Sequence, residues 1–170
     1  MEHDPYALTF DQVAVAAGVS RALVHAYLGD RRGLIDAVQV RIVGRLDGWV
    51  AHGLSRADGR DERVRALAGG VFAFVEAERD GWSVLAASGG LDHPALHGVR
   101  ARWTKVLSDG RPRSEVVAQA VVAALLLGVS GWVNRGVETT EVVGPMLAAF
   151  RATDGPSHLP GASGEADPPG

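Results

Sequence analysis

Five side chains in a short stretch near the amino terminus suit contacts with DNA. Arg21 carries a guanidinium that can reach guanine or a phosphate, while Ala22 and Leu23 offer apolar groups for thymine methyls. His25 and Tyr27 offer hydrogen-bond donors for phosphate oxygens. Helical spacing places all of them except Tyr27 on one outward face. The pattern therefore predicts a helix that lies in the major groove of DNA.

A cationic segment follows this helix directly. Asp30 is typical of a helix N-cap, and Arg31 and Arg32 are the first residues of the helix that it would begin. Exposed backbone N–H groups at a helix start and two guanidinium groups would both attract a phosphate. A plain helical hairpin with solvated arginines is the alternative interpretation.

Helix caps define the elements that must position these residues. Thr9 and Gln12 form the pattern of a capping box, so a helix begins there. Gly18 is typical of a left-handed helix end, and Ser20 is typical of an N-cap. The sequence therefore predicts two short helices joined by a tight turn, followed by a long helix over residues 31–54.

The segment from Leu8 to about Val50 resembles the DNA-binding domain of the tetracycline-repressor (TetR) family of bacterial transcriptional regulators. The matching residues are Thr9, Val13-Ala14 and Ala17-Gly18-Val19-Ser20. His25, Leu28 and Arg31 stand where the family usually has Tyr, Phe and Lys. The resemblance implies DNA contacts by Thr9, Arg21, Leu23, His25, Tyr27 and Arg31, to which the predicted reading helix adds Ser20 and Ala22. It also implies a ligand-responsive regulator, commonly a repressor, that binds a palindromic operator as a homodimer.

One departure from the family lies upstream of this motif. The family usually places another full helix there, whereas only eight residues precede Thr9 here. Because that helix packs on the motif, its loss should expose Val13, Leu34 and Val38. We expect a start codon that has been placed too far downstream. The alternative is a dimeric small-molecule-binding or interaction protein with a truncated, DNA-incompetent head.

Composition limits the classes of protein that remain. The 170 residues carry a net charge of −3, which argues against a protein that coats nucleic acid without specificity. The chain has no cysteine, so a disulfide framework and a thiol metal site are excluded. No signal-peptide pattern opens the chain, which favours a cytoplasmic location.

Apolar residues at spacings of three and four continue beyond the DNA-binding region, and no segment shows strand alternation. We therefore predict an all-α protein.

In the rest of the chain, Asp61 should cap one helix, Pro94 should start another, and Gly144-Pro145 should kink or delay the last. We divide the chain into a helix-turn-helix DNA-binding region with its connecting helix (1–54), a helical ligand-binding and dimerisation domain (55–152), and a disordered tail rich in Pro, Gly and Ser (153–170).

Residues 116–133 form an apolar run at the lower limit of length for a membrane span. A transmembrane helix is one interpretation, but the run is rich in Ala and Gly and lacks flanking aromatic belts. We prefer a buried helix in which Gly128 and Gly131 permit close contact at a subunit interface, with no membrane. By resemblance, the helices around 114–135 and 139–152 form the homodimer.

Aromatic and aliphatic side chains of the body are candidates for an effector pocket. They are Phe72, Val75, Trp82, Leu85, Trp103 and Trp132. A pocket of this composition would favour an apolar or aromatic small molecule. Ordinary core packing is the alternative, because aromatic stripes at helical spacing usually serve that purpose.

Enzymatic interpretations find little support in the sequence. His93 and His97 stand four residues apart with Asp92 adjacent, but no further ligand cluster accompanies them. Glu76 and Glu78 lie two apart on different faces of a helix. We therefore expect no catalytic site, no metal site and no cofactor.

Overall fold

The computed structural model describes residues 9–87 and 90–154 of the chain. The helices are α1 (Phe10–Ala17), α2 (Arg21–Leu28), α3 (Arg31–Leu54), α4 (Arg60–Ala77), α5 (Arg79–Ala87), α6 (Pro94–Leu107), α7 (Pro112–Asn134) and α8 (Thr139–Asp154), and a 3-10 helix lies at Gly90–Asp92. Since no strand occurs within these ranges, the predicted all-α class is confirmed.

The predicted helix caps are present at the amino end of the fold. The Thr9 hydroxyl accepts a hydrogen bond from the Gln12 backbone N–H at 3.3 Å, and the Gln12 side chain accepts one from the Thr9 N–H at 2.9 Å. Gly18 has φ 66°, the left-handed conformation that ends α1. Ser20 and Asp30 cap α2 and α3 through the backbone N–H groups three residues on. The helix-turn-helix geometry thus follows from local sequence.

Helix α3 joins this amino-terminal unit to the other helices by packing closely along α4. Small residues set the distance between the two helices. A Cβ atom added at Gly70 would lie 2.9 Å from the Val50 Cα, and one at Gly53 would lie 3.2 Å from the Ala66 Cβ. Because no larger side chain fits between these backbones, α3 and α4 should move as one unit.

Two groups of buried residues support the fold. Ala14, Val24 and Leu34, one from each of the first three helices, are 6%, 5% and 3% exposed. The larger core is continuous across α3 to α8, and its fully buried centre includes Leu46 and Phe74. Leu34 was expected to be exposed but is buried, because α2 packs on α3.

Three further details differ from the sequence predictions. Asp61 does not cap α4, because the N-cap is Gly59 with φ 100° and Asp61 lies in the first turn, 3.2 Å from the Arg151 guanidinium. Helix α8 continues through Pro145 and ends at Asp154, two residues beyond the predicted end of the helical domain at residue 152. Residues 1–8 and the rest of that tail, 155–170, lie outside the described residues.

Helix α7 is the one helix of the described ranges that is long and apolar enough to cross a membrane. Its most apolar 18-residue window has a mean hydropathy of 2.1, and 33% of that window is buried. Length and composition of this kind are shared by core helices and interface helices. In the single chain, most of this apolar window of α7 is therefore not buried, which is unusual for a core helix.

Candidate DNA-binding head and helical body

Helix α2 presents an accessible face at the edge of the molecule. Ser20, Arg21 and Ala22 are exposed, and Leu23 is 43% exposed although it is apolar. The opposite side of the helix is held down by Val24, which is buried. A short helix with one buried anchor and an exposed face of small and cationic groups suits the major groove.

Arg21 has a partner that the sequence analysis did not identify. Its guanidinium lies 3.2 Å from the Asp11 carboxylate of α1, and the two side chains are 61% and 65% exposed. An ion pair with this exposure contributes little free energy. The guanidinium can therefore exchange Asp11 for a phosphate or a guanine. No local sequence spacing signals a pair ten residues apart.

His25 is fixed in place by two contacts. Its ring stacks on Phe10 with centroids 3.9 Å apart and planes at 12°. Its Nδ1 lies 3.0 Å from the Gly29 carbonyl oxygen, so Nδ1–H donates there. The neutral ring then offers only an acceptor at Nε2, and donation to a phosphate requires the imidazolium.

The other head candidates surround α2. Tyr27 is 81% exposed. Arg31 is exposed at the start of α3 and has no hydrogen bond or ion pair within the ranges that the structure describes. The Thr9 hydroxyl is engaged in the capping box. Tyr27 and Arg31 therefore have polar groups available for a phosphate, whereas Thr9 already serves α1.

The six effector candidates lie in the body, and five of them are tightly packed. Phe72, Val75, Trp82, Leu85 and Trp103 are at most 4% exposed and belong to the core. The Trp82 indole N–H donates to the Ser130 hydroxyl at 2.6 Å, and that of Trp103 donates to Asp47 at 3.0 Å. Both indoles are thus satisfied within the folded chain.

Trp132, the sixth candidate, is half-buried and stacks on Phe72 with ring centroids 6.1 Å apart and planes at 8°. It also lines a groove of about 690 Å³ between α7 and α8, while Phe72 lines a smaller cavity of about 370 Å³. A Cβ at Gly128 would lie 2.5 Å from the Trp132 ring, so the glycine makes room for that indole. Each ring of the stacked pair thus lines one of two open spaces, and Val137 lines both.

The outward surface of α7 and α8 is apolar. Val116 and Leu127 on α7 are 64% and 72% exposed, and the exposed positions of α8 include Pro145, Ala148 and Ala149. The groove that Trp132 lines opens on this surface and is walled mainly by Val and Ala. Such a continuous apolar surface is typical of an interface.

His93 acts as a structural group at the start of α6. His93 Nδ1 accepts the Ala95 backbone N–H at 3.1 Å and thereby caps α6, while Nε2 lies 2.8 Å from the Asp36 carboxylate. Over residues 9–87 and 90–154, no group of three His, Cys, Asp or Glu side chains is arranged to hold a metal ion.

No family model and no curated protein matches the chain at the level of sequence. Solved structures do match. A TetR-like transcriptional regulator from Rhodococcus sp. RHA1 superposes with a TM-score of 0.66 at 20% identity, covering 91% of this chain and 89% of that one. A TetR-family regulator from Streptomyces coelicolor gives 0.69 at 21%, covering 88% and 76%.

The fatty acid degradation regulator FadR from Bacillus halodurans also matches, with a TM-score of 0.65 at 15% identity over 88% of this chain and 90% of that one. The chain therefore has the fold of TetR-like transcriptional regulators. The resemblance identified from the head is confirmed as a likeness of fold, and it extends over most of the chain.

Proposed function

We propose that this chain is a ligand-responsive transcriptional regulator, acting as a repressor, that binds a palindromic operator as a homodimer. The observation that carries the proposal is the capped helix-turn-helix, whose second helix exposes Arg21 beside small apolar groups. The shared fold of TetR-like regulators supports it. In this proposal α2 reads bases, and Tyr27 and Arg31 bind the flanking phosphates.

Dimerisation follows from the size of the reading helix. One eight-residue helix contacts only a few base pairs, whereas two copies related by a twofold axis read both halves of a palindrome. The exposed apolar surface of α7 and α8 is the proposed interface. Burial in a dimer also accounts for the composition of α7 without a membrane, in keeping with a cytoplasmic location.

The proposed effector is an apolar or aromatic molecule that enters beside Trp132 and Phe72. Trp132 lines the larger open space, Phe72 lines the smaller one and Val137 lines both, so a ligand beside the stacked rings would occupy space that already exists. Helix α6 is linked to the connecting helix α3 through Asp47, which binds both Arg102 and Trp103. A ligand that favours one arrangement of these helices would alter the separation of the two heads.

A protection footprint on the promoter region of the gene itself tests the proposal. We expect two protected half-sites related by a palindrome, with centres about 34–36 Å apart. Addition of an aromatic ligand that binds the body should change the protection. A dimer that binds such a ligand but leaves every promoter segment unprotected would favour the alternative, a small-molecule-binding protein with an inactive head.

A further inference from the structure

A second groove lies between α6 and α7 and includes no residue of the head. Its volume is about 680 Å³, and it is lined by both charged and polar side chains. One wall is a stripe of α6 that carries His97, Arg100 and Lys105. The facing wall is the first part of α7, with Glu115 and Gln119. The groove is thus chemically different from the apolar groove between α7 and α8.

The cations of this groove are available to a ligand. His97, Arg100 and Lys105 make no hydrogen bond or ion pair within the described ranges. Arg102, on another face of the same helix, binds Asp47 at 2.6 Å. Lys105 is the only lysine of the chain. The basic side chains of α6 that line the groove are therefore unpaired within the described ranges, whereas Arg102, on another face of α6, is paired.

The start of α7 adds positive potential at one end of the groove. Gly110, which precedes α7, and Glu115, which lies in its first turn, both line the groove. The 23-residue helix has Arg111 as its N-cap, with no side-chain cap bond. Aligned peptide dipoles make a helix start electropositive. The Glu115 carboxylate lines the same end of the groove and can accept a hydrogen bond from a donor group of a ligand.

We propose that this groove binds a small organic anion that also carries hydroxyl groups, such as a sugar phosphate or a hydroxycarboxylate. The anionic group binds Arg100, Lys105 and His97 through charge-assisted hydrogen bonds. The hydroxyl groups donate to Glu115 and bind the Gln119 amide. The site is separate from the proposed aromatic effector site, and it does not depend on DNA binding.

The single lysine provides a direct test. The full chain is acetylated with a neutral amine-reactive ester, and the rate at Lys105 is followed by mass spectrometry in the presence of glucose 6-phosphate, citrate or sodium chloride at matched ionic strength. We expect the organic anions to slow the reaction at least severalfold and chloride to have little effect. Protection by one anion alone would show whether phosphate or carboxylate is preferred.

Two variants distinguish a site from general screening. Arg100→Gln should weaken protection about tenfold, because it removes a charge-assisted hydrogen bond. Arg65→Gln, which removes an exposed unpaired arginine of α4, should leave protection unchanged. Equal protection by chloride, or full protection in Arg100→Gln, would overturn the proposal. Because the assay contains no DNA, its failure would leave the proposed function of the head intact.

Discussion

Among residues 9–54, Tyr27 is the aromatic side chain most accessible to a partner, with 81% of its surface exposed. An exposed side chain contributes little to folding, so its hydroxyl can be removed without loss of structure. In contrast, His25 is held between Phe10 and the Gly29 carbonyl. The two residues therefore have different roles at the same end of α2, one directed to solvent and one stabilising the turn.

For Tyr27→Phe we predict a loss of operator affinity of about fivefold, the usual worth of one neutral hydrogen bond. The loss should be similar for every sequence tested, because a phosphate contact carries no base information. Melting temperature should not change. Trp49→Phe, an exposed aromatic on α3 outside the head, is the matched control. Unaltered affinity in Tyr27→Phe would remove this residue from the DNA contacts.

Residue-level features were predictable where they are local. The caps at Thr9, Ser20 and Asp30 follow from spacings of three residues, and all three are present. The ion pair of Arg21 with Asp11 joins two helices, and its formation depends on the angle between them. The spacing of residues in the sequence does not determine the angle between two helices. Asp11 could therefore be identified as the partner of Arg21 only from the structure.

At the level of helices, the contact between α3 and α4 is sensitive to the size of the side chain at its closest point. Gly69 and Gly70 are adjacent in α4, yet a Cβ at Gly69 would meet nothing within 4 Å, whereas one at Gly70 would approach the Val50 backbone. Backbone atoms cannot rotate out of the way as a side chain can. The two glycines therefore form a matched pair.

We predict that Gly70→Ala lowers the free energy of unfolding by about 1–3 kcal/mol, the usual cost of overpacking. Gly69→Ala should raise it by about 0.5–1 kcal/mol, because alanine is the better helix former. Urea unfolding followed by circular dichroism measures both. A Gly70→Ala variant as stable as Gly69→Ala would show that α3 and α4 are not held together at this point.

The turn between α6 and α7 contains a carboxylate whose ionised form is stabilised. The backbone N–H of Arg111, the Ser114 hydroxyl and the charges of Arg111 and Arg60 together lower the pKa of Asp109, although partial desolvation opposes them. A carboxyl with a lowered folded-state pKa stabilises the protein above its unfolded-state pKa. That contribution is lost as the pH falls through the folded-state value.

Asp109→Asn should therefore melt at a lower temperature than the original chain near neutral pH, because the charge interactions are absent. The difference should shrink as the pH falls below the ordinary aspartate pKa and vanish below the lowered folded-state pKa, where both side chains are uncharged. Thermal unfolding across this pH range measures it. Asp92→Asn, an exposed aspartate without a partner in the described ranges, should show no such trend. A pH-independent difference would contradict this account of the turn.

Helix number and order could be predicted because the apolar spacing of each element is clear. The start of α4 was placed wrongly because Asp61 has the residue type of a cap, whereas the N-cap lies two positions earlier, at Gly59 with its positive φ. Backbone conformation at a glycine is set by the loop as a whole. Residue type alone therefore favoured the wrong cap.

Across the whole molecule, the exposed apolar surface of α7 and α8 is the feature that demands a partner. Leu127 is 72% exposed near the middle of α7, and it lies on the same side as Val116. A charge placed there would be buried without a counter-charge in the proposed dimer. The surface therefore offers a direct test of the oligomeric state.

We predict that Leu127→Glu shifts the protein from dimer to monomer in light scattering, with at least about a tenfold loss of dimer affinity. Helix content should not change, because the side chain is exposed in the single chain. Val40→Glu, at an exposed valine of α3 that is 46% accessible, serves as the control. A dimer that persists in Leu127→Glu would place the interface elsewhere.

The proposed effector contacts were the part of the candidate site hardest to derive from sequence. The six apolar and aromatic candidates share helical spacing with ordinary core residues, and five of them pack in the core. Trp132 differs from these five because its ring lies outside the core. Gly128, on the same helix α7, leaves room for the ring, and Phe72 of α4 stacks on it. Such a three-residue arrangement depends on how the helices are positioned relative to one another.

If α2 reads DNA, removing the Arg21 side chain must weaken specific binding. Fluorescence anisotropy at a stated salt concentration compares the binding of the original chain, Arg21→Ala and Arg65→Ala to a labelled fragment of the promoter region. We expect specific binding that Arg65→Ala retains and that Arg21→Ala weakens by about 10-fold or more, the usual range for a bidentate base contact. Equal binding by all three proteins, or no specific binding by any, would contradict it.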